Sequence, residues 1–171
     1  MGTSGLAPAA LDSGPLIHLS QIQRIDLLAI LPELHVVDAV WREVEAGPVG
    51  LQALTRLPNL RRHRVQPEQI ASLHLDKTGL HLGELESLAL CISERITLLV
   101  TDDLRARKAA TDLHIQPVGS VGIILKSCTL SMITAREAEG LLWQLHDESS
   151  LFVTTHIIQT AIGQLHADRV D

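Results

Sequence analysis

The chain has 171 residues, a mass of 18.6 kDa and a formal net charge of −6. Its length predicts a single domain over residues 1–171, with a flexible N-terminus at 1–7 and a helical C-terminal part at 135–171, and its 46% hydrophobic and 20% charged residues exclude a disordered chain. The acidic charge excludes nucleic-acid binding by bulk attraction, and the three aromatic residues (Trp41, Trp143 and Phe152) argue against the stacking platform of many single-strand RNA binders.

Short apolar runs alternate with amphipathic stretches along the chain, which is typical of α/β proteins. Strands are predicted at 9–12, 34–37, 61–65, 96–100 and 115–118, of which 61–65 is mostly charged and is therefore expected at an edge. Helices are predicted at 13–31, at 39–46 with Asp38 as its cap, at 51–57, at 67–75, from Gly83 onward, and at 104–113, 121–130, 135–145 and 155–165.

Carboxylates follow two of these predicted strands. Asp12 closes the first strand, and Asp102 and Asp103 close the strand at 96–100. The carboxyl ends of parallel strands line the ligand crevice of an open sheet, so these acids are expected to converge there. Carboxylates at such short distances from one another cannot all ionise without a cation. A site made only of oxygen atoms suits Mg²⁺ or Mn²⁺. Such an ion activates water and stabilises the charge that develops on a phosphodiester.

Two glutamates can join this cluster. Glu84 follows a glycine at the start of a helix, and Glu43 lies in the short helix after the second strand. Residues two apart on a helix point about 200° apart, so Glu86 and Glu45 are expected to be solvated. Simpler interpretations stay open: Asp12 and the Asp102–Asp103 pair can act as helix caps, and Glu43 alone is more often a surface residue.

Five segments resemble the PIN-domain nucleases, in particular the prokaryotic PIN-like proteins related to the VapC toxins. They are LDSGPLIHLSQIQRIDLL with Asp12, VVDAVWREVE with Glu43, LHLGELESLAL with Glu84, LLVTDDLRARKAA with Asp102 and Asp103, and VGSVGIILKSCTLSMIT with its two glycines. The resemblance runs from about Ala9 to Leu165, and the segments come in the order that the family has. It implies a three-layer α/β/α fold with a central, mainly parallel twisted sheet flanked by helices.

The resemblance also implies a function. It implies a divalent-metal-dependent endoribonuclease that hydrolyses RNA phosphodiester bonds, often the toxin of a type II toxin–antitoxin pair, with a small antitoxin as partner and a homodimer as assembly. The catalytic acids would be Asp12, Glu43, Glu84, Asp102 and Asp103, and Mg²⁺ or Mn²⁺ would be held by all of these except Glu43.

Further roles follow for the neighbours of the acids. Ser13 and Thr101 would bond the carboxylates. Arg107 would either bind phosphate or form an ion pair with an acid of the site, and the ion pair is favoured because a buried acid cluster favours a nearby guanidinium. The alternation of side chains after a strand favours Asp102 as the inner ligand and Asp103 as the outer ligand or the ligand of a second metal.

The same residues bear on two alternative functions. A non-catalytic PIN-like module that binds RNA or protein stays open, whereas an aspartyl phosphotransfer protein fits poorly because the acid pair follows the central strand and residue 14 is glycine. The basic run with Arg61, Arg62 and Arg64 can contact RNA backbone, although such runs are more often solvated edges. The chain has no motif for a nucleotide cofactor, no signal peptide, no membrane span and no cysteine motif for zinc or disulfides, so a cytoplasmic location is expected.

Overall fold

The structure is a computed structural model that describes residues 6–48, 50–76 and 78–167. Most of the expected flexible N-terminus (1–5) and the last residues of the expected C-terminal helical part (168–171) lie outside the described residues. Within the described ranges, none of the helices combines the length and the apolar character that crossing a bilayer requires.

The described residues contain one five-stranded sheet with the order β3-β2-β1-β4-β5. Its strands are β1 (Ala9–Leu11), β2 (Leu34–Val37), β3 (Leu60–His63), β4 (Leu98–Val100) and β5 (Gln116–Val118). All neighbouring strands are parallel, and β1 pairs with β2 on one side and with β4 on the other. Strands β1 and β4 are buried along their whole length, which explains their continuous apolar sequences. The charged strand β3 lies at an edge of the sheet, as predicted.

Helices flank this sheet, which confirms the α/β fold expected from the sequence. They are α1 (Ser13–Gln21), a 3-10 helix (Ile25–Ile30), α2 (Asp38–Ala46), α3 (Gly50–Thr55), α4 (Pro67–Ala71), α5 (Leu82–Glu94), α6 (Leu104–Asp112), α7 (Ser120–Thr129), α8 (Ala135–Glu148) and α9 (Thr155–Ala167). Helix α5 contacts β1, β2 and β4, while α1 contacts α7 and α8. Helices α1, α6 and α7 each begin within four residues of the end of a strand, so their N-termini surround the carboxyl edge of the sheet.

The first predicted helix, 13–31, is wrong in its length. Helix α1 ends at Gln21, where the N–H of Arg24 bonds the carbonyl of Leu19 and the N–H of Gln23 bonds that of Ser20. These two bonds form a Schellman motif around Gln23, whose φ is +57°. Such a stop usually has glycine, so glutamine in its place gave no stop signal, and the apolar residues beyond it continue in the separate 3-10 helix.

Candidate active site

Asp12 lies directly after β1 and joins this strand to its neighbour β4. Its carboxylate is 5% exposed. It accepts a hydrogen bond from the backbone N–H of Ser13 at 2.8 Å and another from the Thr101 hydroxyl, which follows β4, at 2.7 Å. The parallel pairing of β1 with β4 is what brings these two strand ends together, although they are far apart in sequence. Thr101 therefore bonds a carboxylate as expected, whereas Ser13 does so through its backbone.

The environment of Asp12 disfavours its charge. Burial raises the pKa of Asp12 from 3.8 to about 6, even though the hydrogen bonds from Thr101 and Ser13 act to lower it. The charges of Glu84 and Glu43 raise this pKa further. These charges act on Asp12 because the three predicted acids line one cavity.

Glu84 and Glu43 reach this region from two different helices. Both line, with Asp12, Ser13 and His81, a cavity of about 320 Å³. The Glu84 side chain lies near the start of α5, where one of its oxygens accepts a hydrogen bond from the N–H of His81 at 2.8 Å. Burial raises the pKa of Glu84, and so do the charges of Asp103 and Glu43, while this hydrogen bond lowers it.

Helices α2 and α5 approach each other closely at Gly83. A Cβ atom at this position would lie 3.1 Å from the carboxylate of Glu43 and 3.1 Å from the Val40 side chain. Contacts this short are tighter than most real Cβ contacts, so for a larger residue the Glu43 and Val40 side chains would have to shift by a few tenths of an ångström. Gly83 thus allows Glu43 to lie beside the start of α5.

The neighbouring residues Asp102 and Asp103 have different surroundings. The Asp103 carboxylate accepts bonds from the N–H groups of Arg105 at 2.8 Å and Ala106 at 2.9 Å, and it therefore caps α6. Its charge raises the pKa of Glu84, although Asp103 does not itself line the acid cavity. The N–H of Asp103 also donates to the Thr101 hydroxyl, the group that holds Asp12.

Asp102 is held by Ser120 and His18, neither of which lines the acid cavity. Its two oxygens accept bonds from the N–H and the hydroxyl of Ser120 at 2.7 and 2.6 Å, and one of them lies 2.7 Å from Nδ1 of His18. Its carboxylate also lies where a Cβ on Gly119 would meet it at 2.7 Å. Neither aspartate lines the acid cavity, but the charge of Asp103 and not that of Asp102 acts on Glu84. This favours Asp103 as the acid nearer to the cavity, which is the reverse of the order that strand alternation favours.

Two residues with roles in this arrangement were missed by sequence reasoning. Ser120 and His18 both hold Asp102. Ser120 follows β5 at the same edge of the sheet, so the rule that directed attention to the acids would have indicated it. His18 lies 84 residues from its partner, and no local pattern indicates that pairing.

Of the two roles expected for Arg107, the favoured ion pair is wrong. Arg107 forms no direct salt bridge within the described ranges. Its guanidinium donates instead to the backbone carbonyl of Thr101 at 3.2 Å. Arg107 therefore supports the end of β4, and it lies near Asp102, since a Cβ on Gly119 would meet Nη1 of Arg107 at 3.3 Å and a carboxylate oxygen of Asp102 at 2.7 Å.

The expectation of a solvated Glu86 is also wrong, while Glu45 is exposed as predicted. Glu86 is 7% exposed and accepts a bond from the N–H of Ala39 at 3.1 Å. Asp38, which was predicted to cap α2, is the first residue of this helix, and its carboxylate binds Arg62 instead. The cap is supplied across the fold by α5, which helical spacing alone does not reveal.

Most of the predicted basic run is paired within the protein. Arg61 lies 2.6 Å from a carboxylate oxygen of Glu33, and Arg62 binds Asp38 while its guanidinium lies 4.8 Å from the ring centre of Trp41. Two of the three arginines expected to contact RNA are thus neutralised by neighbouring groups. The arrangement fits a charged strand edge better than a strongly basic binding surface.

The residues of the acid cavity suit a divalent metal by their chemistry. In the part of the chain that the structure describes, no group of three or more histidine, cysteine, aspartate and glutamate side chains is arranged closely enough to hold a metal ion. The donors present are nevertheless carboxylates, and Asp12 is buried. Burial and the charges of nearby acids raise the pKa of both Asp12 and Glu84. A hard divalent cation prefers such oxygen donors and would relieve their repulsion.

Comparison with known families gives one match that covers most of the chain. The model of the family described as PIN domain (DUF3368) matches residues 9–167. No curated protein and no solved structure matches the chain. The matched range includes all the acids described above.

Proposed function

Because the chain belongs to the PIN-domain family, whose members are generally nucleases, we propose that it is a divalent-metal-dependent endoribonuclease that hydrolyses RNA phosphodiester bonds. The observation that supports this most directly is the buried carboxylate of Asp12, which shares one cavity with Glu43 and Glu84 at the carboxyl edge of the sheet. Asp12 is also the N-cap of α1, but an uncharged asparagine or serine would fill that role, and burial disfavours the charged form of Asp12.

In this proposal Asp12, Glu84 and Asp103 hold Mg²⁺ or Mn²⁺, with Glu43 beside them. When bound, the ion supplies a water of lowered pKa and stabilises the charge that develops at phosphorus. Thr101 and the N–H of Ser13 orient Asp12, and each oxygen of that carboxylate keeps a further lone pair for a ligand. The bond from His81 occupies only one oxygen of Glu84, so the other is available to the cavity.

Asp102 has a positioning role in this proposal. Its bonds to Ser120 and His18 join the end of β4 to the starts of α7 and α1. These bonds fix the backbone that presents Asp103 to the cavity. A small antitoxin and a homodimer stay predictions from the family resemblance.

The test is cleavage of a mixed single-stranded RNA in Mn²⁺ or Mg²⁺, with EDTA as the metal-free control. Wild type is compared with Asp12→Asn and Glu84→Gln. Glu45→Gln is the matched control, because it is an exposed glutamate on the same helix as Glu43. We expect metal-dependent cutting that Asp12→Asn and Glu84→Gln abolish and Glu45→Gln preserves. Cutting that survives both cavity substitutions would place the reaction elsewhere.

The alternative of a non-catalytic PIN-like module gives a different result in the same assay. Wild type would then bind RNA or a protein without cutting RNA in either metal. Calorimetry of Mn²⁺ binding then distinguishes two kinds of inactive module. A module with an intact metal site binds the ion, whereas a module that lacks the site does not.

A further inference from the structure

Two strongly exposed apolar side chains lie at a groove beside the acids. Phe152, the only phenylalanine of the chain, is 94% exposed, and Leu104 is 80% exposed. Both line a groove of about 380 Å³ that Asp102 also lines. Leu104 directly follows Asp103 in the chain, so the groove adjoins the end of β4, although it shares no lining residue with the acid cavity. Packing does not explain either side chain, because neither contributes to the buried core.

The loop that carries Phe152 is fixed at its base. It joins α8 to α9, and the backbone N–H of Ser150 donates to the Gln21 side chain at 2.8 Å. The N–H of Leu151 donates to the Ser149 hydroxyl at 3.2 Å. The Phe152 ring is therefore presented to solvent by an ordered support, which lowers the entropy lost when it binds something.

The mostly apolar groove also has two charged lining residues, Arg107 and Asp102. The Arg107 guanidinium donates to the backbone carbonyl of Thr101 and forms no direct salt bridge in the described ranges, while the Asp102 oxygens accept bonds from Ser120. Gly119 leaves the space between these two side chains open, since a Cβ there would meet both. An exposed aromatic ring and a guanidinium in one groove suit an unstacked nucleobase with its phosphate, since bases stack on aromatic faces and guanidinium groups bind phosphate.

We propose that Phe152 stacks on one nucleobase of the RNA substrate, adjacent to the bond that is cut, while Arg107 binds a neighbouring phosphate. This inference rests on the proposed ribonuclease function and adds how that site binds its strand. A single ring reads one base only, which agrees with a composition too poor in aromatic residues for a platform. Stacking is tolerant of sequence, so we expect a preference for single-stranded RNA rather than for one base.

The test uses Phe152→Ala, Phe152→Leu and Phe152→Trp, with Leu130→Ala as the matched control because Leu130 is an exposed apolar residue away from the groove. The probes are a fluorescently labelled single-stranded RNA of twelve nucleotides and a series of the same RNA with one abasic position moved along it. Because Phe152 is almost fully exposed, none of these substitutions is expected to disturb the fold, which circular dichroism checks.

We expect Phe152→Ala to raise the Kd and KM for the intact RNA by about 5- to 100-fold, the range that loss of one base–aromatic stack produces. Phe152→Leu should resemble Phe152→Ala, while Phe152→Trp and Leu130→Ala should resemble wild type. For wild type, one abasic position should weaken binding by a similar factor. Phe152→Ala should be insensitive to that same position, a coupling that a merely structural role would not produce.

Three results would overturn the inference. If wild type cuts RNA and Phe152→Ala binds and cuts it equally well, the stacking role fails and the nuclease stands. If Phe152→Ala turns a wild-type dimer into a monomer in sedimentation and no abasic position is special, the groove is an interface between copies of the chain. If wild type neither binds nor cuts RNA, the proposed function fails together with this inference.

Discussion

At the scale of single residues, Asp12 has the least favourable charge in the acid cavity. The rise of its pKa from 3.8 to about 6 corresponds to about 3 kcal/mol of unfavourable charging in the folded state. The folded protein therefore binds this proton more tightly than the unfolded chain does. In the absence of metal, stability contributed by protonated Asp12 is lost as the pH rises from about 4 through about 6.

This loss predicts the behaviour of Asp12→Asn in EDTA. Because asparagine stays neutral, the variant should unfold with a free energy up to about 3 kcal/mol higher than wild type at pH 7.5, and the difference should vanish below pH 4. Urea denaturation at a series of pH values measures both. A variant that is less stable than wild type at pH 7.5 would show that the charge of Asp12 is not disfavoured.

Substitution of the two aspartates after β4 should have different effects on activity and on stability. Asp103→Ser keeps an N-cap for α6 and removes the carboxylate, so we expect activity to fall at least about 100-fold with stability changed by less than about 0.5 kcal/mol. Asp102→Asn should instead lower the free energy of unfolding by about 1.5–3 kcal/mol, since it weakens charge-assisted bonds to Ser120 and His18.

Thermal and urea melts together with RNA cleavage assign the roles. The assignment made here would be reversed if Asp102→Asn lost activity at unchanged stability and Asp103→Ser stayed active. That pattern would restore Asp102 as the inner ligand.

At the scale of elements, α2 depends on α5 for its N-terminal cap. Val37, at the cap position, has no side chain that can accept a bond, and Glu86 reaches from α5 to the N–H of Ala39. The same pair of helices brings Glu43 beside Gly83. One contact between helices therefore serves both the fold and the position of a predicted catalytic acid.

Removing this cap should destabilise the protein. Glu86→Ala leaves the buried N–H of Ala39 without its partner, so we expect a loss of about 1–3 kcal/mol in the free energy of unfolding. Glu94→Ala is the control, because Glu94 is an exposed glutamate at the end of the same helix. Equal urea midpoints for the two variants would contradict the role given to Glu86.

At the scale of the whole molecule, metal binding and folding should be coupled. An ion that binds only the folded protein adds about 2.7 kcal/mol at a concentration one hundred times its Kd, which for a chain of this size raises Tm by about 5–10 °C. We expect this rise with Mn²⁺ or Mg²⁺ and its loss in Asp12→Asn. Sodium chloride of matched ionic strength controls for screening of the net charge of −6. An equal rise in sodium chloride would attribute the effect to screening alone.

The pattern of apolar residues along the chain predicts the order of the elements and the edge of the sheet at which the acids lie. Continuous apolar runs predict buried parallel strands such as β4, and the ends of such strands predict where Asp12 and Asp103 lie. Local periodicity suffices for this because strands and helices differ in their repeat. Local periodicity did not predict the end of α1, because Gln23 adopts the left-handed conformation in which glycine is usual.

The bonding partners of these side chains depend on contacts between distant parts of the chain. Asp102 meets His18 and Ser120, Glu86 meets Ala39, and Arg107 turns to a carbonyl rather than to a carboxylate. Residue spacing cannot specify such pairs because a side chain chooses among groups that the packed sheet and helices bring from distant parts of the chain. The exposed ring of Phe152 beside Asp102 is a consequence of the same packing, since α8 and α9 place their connecting loop at the edge of the sheet.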